Sequence, residues 1–261
     1  MTNGLAETAG TYLKTQIEEH IRNAPRSLQT TIGPSEIGIP CTHCLAARLA
    51  GWPKLEPQIA WMPFIGTAVH AYYEQLFRTL TPGVEGAKYF TEEHVTVGEI
   101  LGTPITGSTD LYITNIGDGS GMTVDWKIVG KTTLDKAARQ GPSDQYVTQA
   151  MLYAAGWNRA GWKTQHVCIY FQPRNSQTLE AGHIWVADYD PTIADRALMR
   201  VNQLADTLQK ITTNSGTKTR DAYITELPRD PNCWDCRKYA DWGKNQLQVN
   251  KKPDFNQLIN Q

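Results

Sequence analysis

Two Cys-x2-Cys pairs, Cys41–Cys44 and Cys233–Cys236, stand near opposite ends of a 261-residue chain. If all four thiols share one site, the two ends must fold back onto each other. Everything between them then has to form a body that lets them meet. No apolar run approaches the length of a membrane span, and the N-terminus carries no signal pattern. The chain is therefore expected in a reducing cytoplasm, with no membrane partner, where paired thiols read as metal ligands before disulfides. Two such pairs suit tetrahedral zinc or an iron–sulfur cluster. A redox dithiol is the remaining alternative. Cys168, set between Val167 and Ile169 in a strand-like run, reads as a core thiol.

The segments between the pairs alternate helix and strand signals. A polar lead-in precedes Gly33-Pro34-Ser35, where Ser35 is expected to cap a short turn into Cys41. Leu45–Leu49 suggests a short helix. Ile65, Val69, Tyr72, Tyr73, Leu76 and Phe77 recur at helical spacing and predict a helix over about 61–80. Strands are expected over 92–100, 104–114 and 121–129, with a glycine-rich turn at 115–121. A helix over 143–160, strands over 165–172 and 181–188, and a helix over 191–212 complete the pattern. Mixed elements around one sheet make the class α/β (or α+β), a central mixed sheet flanked by helices.

Alternation along the third strand sets Thr123, Asp125 and Lys127 on one face and Val124, Trp126 and Ile128 on the other. On the strand before it, Asp110 lies opposite the apolar Leu111 and Ile113. The hairpin turn brings Asp110 and Asp125 together. Two carboxylates on one face repel each other unless a cation intervenes, and hard divalent ions prefer carboxylate oxygens. Lys127 beside such an ion could orient or deprotonate a water. An ordinary Asp–Lys surface pair is the bland alternative.

His70 and Glu74 share a helix face one turn apart. An imidazole joined to carboxylates suits manganese and tolerates magnesium. Tyr146, Gln149 and Tyr153 lie along one face of the 143–160 helix. Gln149 could reach Lys127, a water or the DNA backbone, and the tyrosines could stack on bases, the simpler alternative being that each covers a core edge. The chain has 25 basic and 26 acidic side chains and a formal charge of −1. No global field draws DNA, so binding would need a local patch, for which Lys131, Lys136, Arg139 and Lys163 are candidates.

Read in order, Gly66-Thr67-Ala68-Val69-His70, Gly107-Ser108-Thr109-Asp110, Asp125-Trp126-Lys127 and Gln149-x3-Tyr153 resemble the motifs of the PD-(D/E)XK nucleases, within them the RecB-like exonucleases. The resemblance implies a restriction-endonuclease-like core and Mg²⁺- or Mn²⁺-dependent hydrolysis of DNA. It implies His70, Asp110 and Asp125 as metal ligands and Asp110, Asp125, Lys127 and Gln149 as the catalytic set. Tyr146, Tyr153 and Lys131 are the DNA contacts expected beside it. The cysteines are similar to those of the iron–sulfur branch, which includes CRISPR-associated adaptation nucleases and AddB-type subunits. That branch places one cysteine before the core and three after it. This chain departs: Trp242 stands where the last cysteine would fall, and Cys44 supplies the fourth thiolate. A 4Fe–4S cluster held by Cys41, Cys44, Cys233 and Cys236 is the expectation, with Zn²⁺ as the alternative.

The sequence is thus divided into a helical lead-in (1–32), a nuclease domain with its four-cysteine site (33–245) and a tail (246–261). Its expected function is a metal-dependent exonuclease acting on single-stranded DNA or DNA ends in recombination, replication or repair. A phage origin, a recombination or replication protein as partner, and an oligomer fit that reading. The alternative is a non-catalytic, cysteine-stapled DNA-binding or assembly subunit with the same fold.

Overall fold

Strand and helix periodicities from Trp61 onward produce the elements that position the site. The structure, a computed structural model, describes residues 3–23, 32–55 and 60–243. The tail at 246–261, residues 24–31 of the lead-in and residues 244–245 lie outside the described residues. Two compact units are formed by interleaved stretches of chain. The first comprises Met1–Gly38 and Pro57–Arg200, the second Ile39–Glu56 and Val201–Gln261.

The first unit opens with α1 (Asn3–Arg22) and the one-turn α2 (Pro34–Ile37). The cap of α2 is Gly33, not Ser35 as expected from sequence. Pro34 takes the first helical position, where its missing N–H costs nothing, and the Glu36 carboxylate accepts the Gly33 N–H at 3.1 Å. After α3 (Thr42–Leu49), which belongs to the second unit, and α4 (Trp61–Thr79) come β1 (Tyr89–Ile100), β2 (Thr103–Ile113) and β3 (Gly121–Val129). Then follow α5 (Lys131–Gln140), α6 (Asp144–Arg159), β4 (Thr164–Pro173) and β5 (His183–Asp188). The five strands form one sheet in sequence order. All neighbours are antiparallel except β3 and β4, which are parallel. That parallel step needs a crossover, and α5 with α6 supplies it. Helix α5 was not anticipated from sequence, since only Leu134 and Ala137 bury themselves.

Leu101 and Gly102 make the β1–β2 turn with φ of 49° and 79°, the backbone of a two-residue hairpin that matches strand twist. A register shift between Thr96 and Gly98 then offsets the two strands by one residue.

Both faces of the sheet are covered. On one, Leu111, Val124, Trp126 and Cys168 form a core over which Tyr73 and Phe77 of α4 pack. Cys168 is thus the core thiol its neighbours indicate. On the other face α6 lies against the strands. Tyr112 stacks on Trp157 at 4.0 Å between centroids, and a Cβ on Gly156 would come within 2.8 Å of Val95. Asn158 both accepts from the Thr164 N–H and donates to its carbonyl, fixing the end of α6 to the start of β4.

Trp126 joins α4 to β3, with Phe77 stacked on it at 5.6 Å and Tyr73 edge-on at 5.3 Å. Replacing it empties a site that is 8% exposed. Trp126→Ala is expected to cost about 3–5 kcal/mol, read from urea unfolding. A change below about 1 kcal/mol would contradict this anchoring role.

The second unit contains α3 (Thr42–Leu49), much of α7 (Pro191–Glu226) and a short 3-10 helix at Asp235–Lys238. Helix α7 extends beyond the 212 boundary expected from sequence and is broken at Gly216, where φ is 81° and ψ 170°. Trp52 donates its indole N–H to Asp221 at 2.9 Å. His43 and Tyr239 meet edge to face inside this unit at 5.6 Å, and both are fully buried.

Candidate metal centre and active site

Strands β2 and β3 pair over only three residue pairs, ending at Leu111↔Val124. Beyond that point the Asp110 side chain takes the place of a ladder carbonyl, its Oδ2 accepting the Trp126 N–H at 2.8 Å. The site is built where the two strands part.

Helix α4 delivers His70 to this place because Tyr73 and Phe77, three and seven residues on, share its face and rest on Trp126. His70 Nδ1 lies 3.1 Å from Asp110 Oδ1, and Nε2 lies 3.1 Å from the Trp126 carbonyl. A neutral imidazole donates from one nitrogen only, so these two acceptors are not both served by the neutral ring. Cations relieve such an arrangement.

Glu92 of β1 completes the group. Its neighbours pair as Thr91↔Leu111 and Glu93↔Thr109, so Glu92 stands across from Asp110. It holds a left-handed backbone with φ of 53°, a conformation uncommon for residues other than glycine and one that clusters at functional sites. Ser108 donates its hydroxyl to the Glu92 carboxylate. Burial pushes the Glu92 carboxyl above its usual range, with the Asp110 charge adding to this. Ligand atoms of His70, Glu92 and Asp110 all lie within 4.8 Å of one another. Sequence reasoning missed Glu92.

Asp125 is 6% exposed and turns toward Lys127, whose Nζ is 2.7 Å from Asp125 Oδ2. This contact is an ion pair off hydrogen-bond alignment, and Oδ2 has no aligned donor. Burial pushes the Asp125 carboxyl up to about 6, Lys127 opposing and Asp110 assisting. Asp125 is therefore adjacent to the His70–Glu92–Asp110 group but outside its 4.8 Å set. Lys127 is fixed from two further sides. It donates to Gln149 Oε1 at 2.9 Å, and its Nζ sits 4.8 Å above the Tyr146 ring. Gln149 thus meets Lys127, one of the roles expected of it.

The other candidates fall elsewhere. Tyr153 is buried at 7% exposure, with burial first among the causes that push its hydroxyl up. Its ring packs against Gly107, where a Cβ would sit 3.1 Å from Tyr153 and 2.5 Å from Pro34. The small residue ahead of Asp110 is thereby explained, and the position offers no open ring face for a base. Tyr146 is half-buried between Lys127 and Phe171. Lys131 is exposed and paired with Asp135 at 3.1 Å. Lys136, Arg139 and Lys163 are exposed. Glu74 is engaged by Arg78 at 2.5 Å.

The donors that converge here are an imidazole and two carboxylates. That set fits manganese and magnesium, and a cation between the two carboxylates would offset their repulsion.

In the second unit the four cysteines converge as well. Sγ of Cys41 lies 3.5 Å from Cys236, and Sγ of Cys44 lies 3.5 Å from Cys233 and 3.3 Å from Cys236. All four sulfurs fall within 4.8 Å of one another. Hydrogen bonds from Cys236 and Cys44 hold the Cys41 thiol far below its usual range. Contact with Cys41 is the first cause that pushes Cys236 up to about 12. Contact with Cys236 is the first that pushes Cys44 higher still. A bound dication would stabilise thiolates at such a site. Beside them, His43 Nε2 lies 2.9 Å from Asp241 Oδ2, which also accepts from Arg229 at 2.7 Å.

Among the described residues no helix is long and apolar enough to cross a membrane. No family model and no curated protein matches the sequence. Among solved structures the chain is similar to LHK-Exo, an alkaline exonuclease from Laribacter hongkongensis. Its complex with dAMP aligns at 12% identity over 74% of this chain and 94% of that one, with a TM-score of 0.49. Another LHK-Exo structure aligns at 13% identity over 70% and 94%, with a TM-score of 0.42. A candidate exonuclease of Eubacterium rectale aligns at 14% identity over 91% and 96%, with a TM-score of 0.42. Likeness this distant carries no argument about activity, which rests on the side chains gathered at the parting strands.

Proposed function

We propose that this protein is a divalent-metal-dependent deoxyribonuclease, acting as an exonuclease on single-stranded DNA or DNA ends. The observation that supports the reading is the approach of His70, Glu92 and Asp110 within 4.8 Å of one another, beside a lysine fixed by Asp125 and Gln149. His70, Asp110 and Glu92 would hold Mg²⁺ or Mn²⁺, with Asp125 alongside. When bound there, such an ion acidifies water and offsets phosphate charge.

The chain's own groups do the rest. Lys127, kept in place from three sides, presents its ammonium to the attacking water and to the charge growing on the phosphate. The water oxygen bonds to phosphorus as one of its protons passes to solvent, the ester P–O bond breaks, and the leaving oxygen takes up a proton from solvent. Gln149 limits the rotamers of Lys127, and Asp125 balances its charge. The exposed lysines and arginine of α5 would track the DNA backbone. Recombination, replication or repair is the setting such an activity suits.

Incubation of end-labelled single- and double-stranded DNA with Mn²⁺, with EDTA as control, tests the reading. Metal-dependent shortening is expected. Binding without cleavage would overturn it in favour of a non-catalytic DNA-binding subunit.

The pH dependence follows from Asp125. Its carboxyl, raised to about 6, is neutral below that pH and charged above it. Cleavage at subsaturating Mn²⁺ should therefore fall as pH drops through about 6. Saturating metal favours the charged form, so it moves the fall to lower pH. A flat profile from pH 5 to 8 would contradict a role for ionised Asp125.

A further inference from the structure

The iron–sulfur resemblance sets a size that the four thiols have to meet. In a 4Fe–4S cluster each cysteine binds its own iron, so the cysteine sulfurs stand roughly 6 Å apart. Here three sulfur pairs lie at 3.3–3.5 Å and no pair exceeds 4.8 Å. A single tetrahedral zinc, with Zn–S bonds of about 2.3 Å, spaces its sulfurs about 3.8 Å apart. The observed set is the size of one ion.

Its surroundings hold it at that size. Cys44, Cys236 and His43 are 0% exposed and Tyr239 is 1% exposed. The Tyr239 hydroxyl reaches the Cys44 carbonyl, and its ring packs on His43. Spreading the sulfurs to cluster dimensions would have to displace the close-packed side chains around Cys41, Cys44 and Cys236, although Cys233 is only partly buried.

The spacing of the ligands points the same way independently. Two Cys-x2-Cys pairs are a zinc arrangement. The one-plus-three pattern of the cluster-bearing branch is broken at Trp242, which is an aromatic neighbour of Arg237 at 5.8 Å.

We propose that Cys41, Cys44, Cys233 and Cys236 hold a single tetrahedral Zn²⁺ and not a 4Fe–4S cluster. His43 and Arg229 form its outer layer. His43 Nδ1 lies 3.8 Å from Cys44 Sγ, its other nitrogen is fixed by Asp241, and Arg229 binds the same carboxylate. The Asp241–Arg229 pair fixes the orientation of the His43 ring beside Cys44. The site is redox-inert and structural. This inference stands apart from the hydrolase reading and survives its failure.

The whole chain, purified in parallel under air and under argon, provides the test. About one zinc per chain is expected under both conditions, with neither iron nor sulfide and no absorption band at roughly 400 nm. Replacing zinc with Co²⁺ should give the strong visible bands of a four-thiolate site, and Cys44→Ser should abolish them. Anaerobic reconstitution with ferrous iron and sulfide is the opposing arm. Uptake of about four irons and four sulfides per chain with the 400 nm band would overturn the proposal. So would iron without sulfide, or a chain that binds neither zinc nor cobalt.

Discussion

Asp110→Asn is expected to abolish metal-dependent DNA cleavage while leaving the fold intact. The substitution is isosteric, and an amide oxygen can still accept the Trp126 N–H that Asp110 receives at 2.8 Å. What it removes is charge. Opposite Glu92 and beside His70, the amide no longer attracts a cation, so Mn²⁺ affinity and cleavage should fall together. Lys127→Met tests the second half of the site by keeping the stem and deleting the ammonium. Loss of one positioned charge donor costs about 100- to 1,000-fold in rate, and Mn²⁺ binding should persist. Rates with labelled DNA, Mn²⁺ titration and far-UV circular dichroism read the three quantities separately. Wild-type cleavage in either variant would discard the assignment.

Loss of the cysteine site should have the largest effect on stability. Structural zinc contributes an apparent ~10–16 kcal/mol in small peptides, more than most domains have to spare. In the Cys44→Ser/Cys236→Ser variant, α3 and the 3-10 helix should lose their hydrogen-exchange protection, and the chain around residues 227–243 should become protease-sensitive. Exhaustive chelation should reproduce this in the wild-type chain. Unchanged protection in the double variant would mean that packing around His43 and Tyr239 holds the unit without metal.

Much of the first unit was legible because its signals are local. The periodicity of α4, the alternation of β3 and the glycine-rich turn before it each depend on neighbours within a dozen residues. Asp125 and Lys127 were visible for the same reason, two residues apart on one strand.

Glu92 was not legible, and the cause is geometric. Counting back from the Leu101-Gly102 turn puts Glu93 across from Asp110, and only the register shift at Thr96/Gly98 brings Glu92 there. No motif announces that shift. The burial of Tyr153 was not legible from a helix face alone, since it is decided by β2 and by Pro34. The four cysteines were read correctly as a group, yet without distances the family resemblance favoured a 4Fe–4S cluster over zinc. Their closeness is a tertiary fact.

The separation of the cysteines also bears on how this protein is made. Cys44 meets Cys233 across 189 residues. At about 5–20 residues per second, a ribosome exposes the first pair of thiols roughly 10–40 s before the second pair exists. Through that interval Cys41 and Cys44 can bind metal only as half a site. Stop codons that cut the chain short of Cys233 would leave a permanently half-made site, a natural target for quality control.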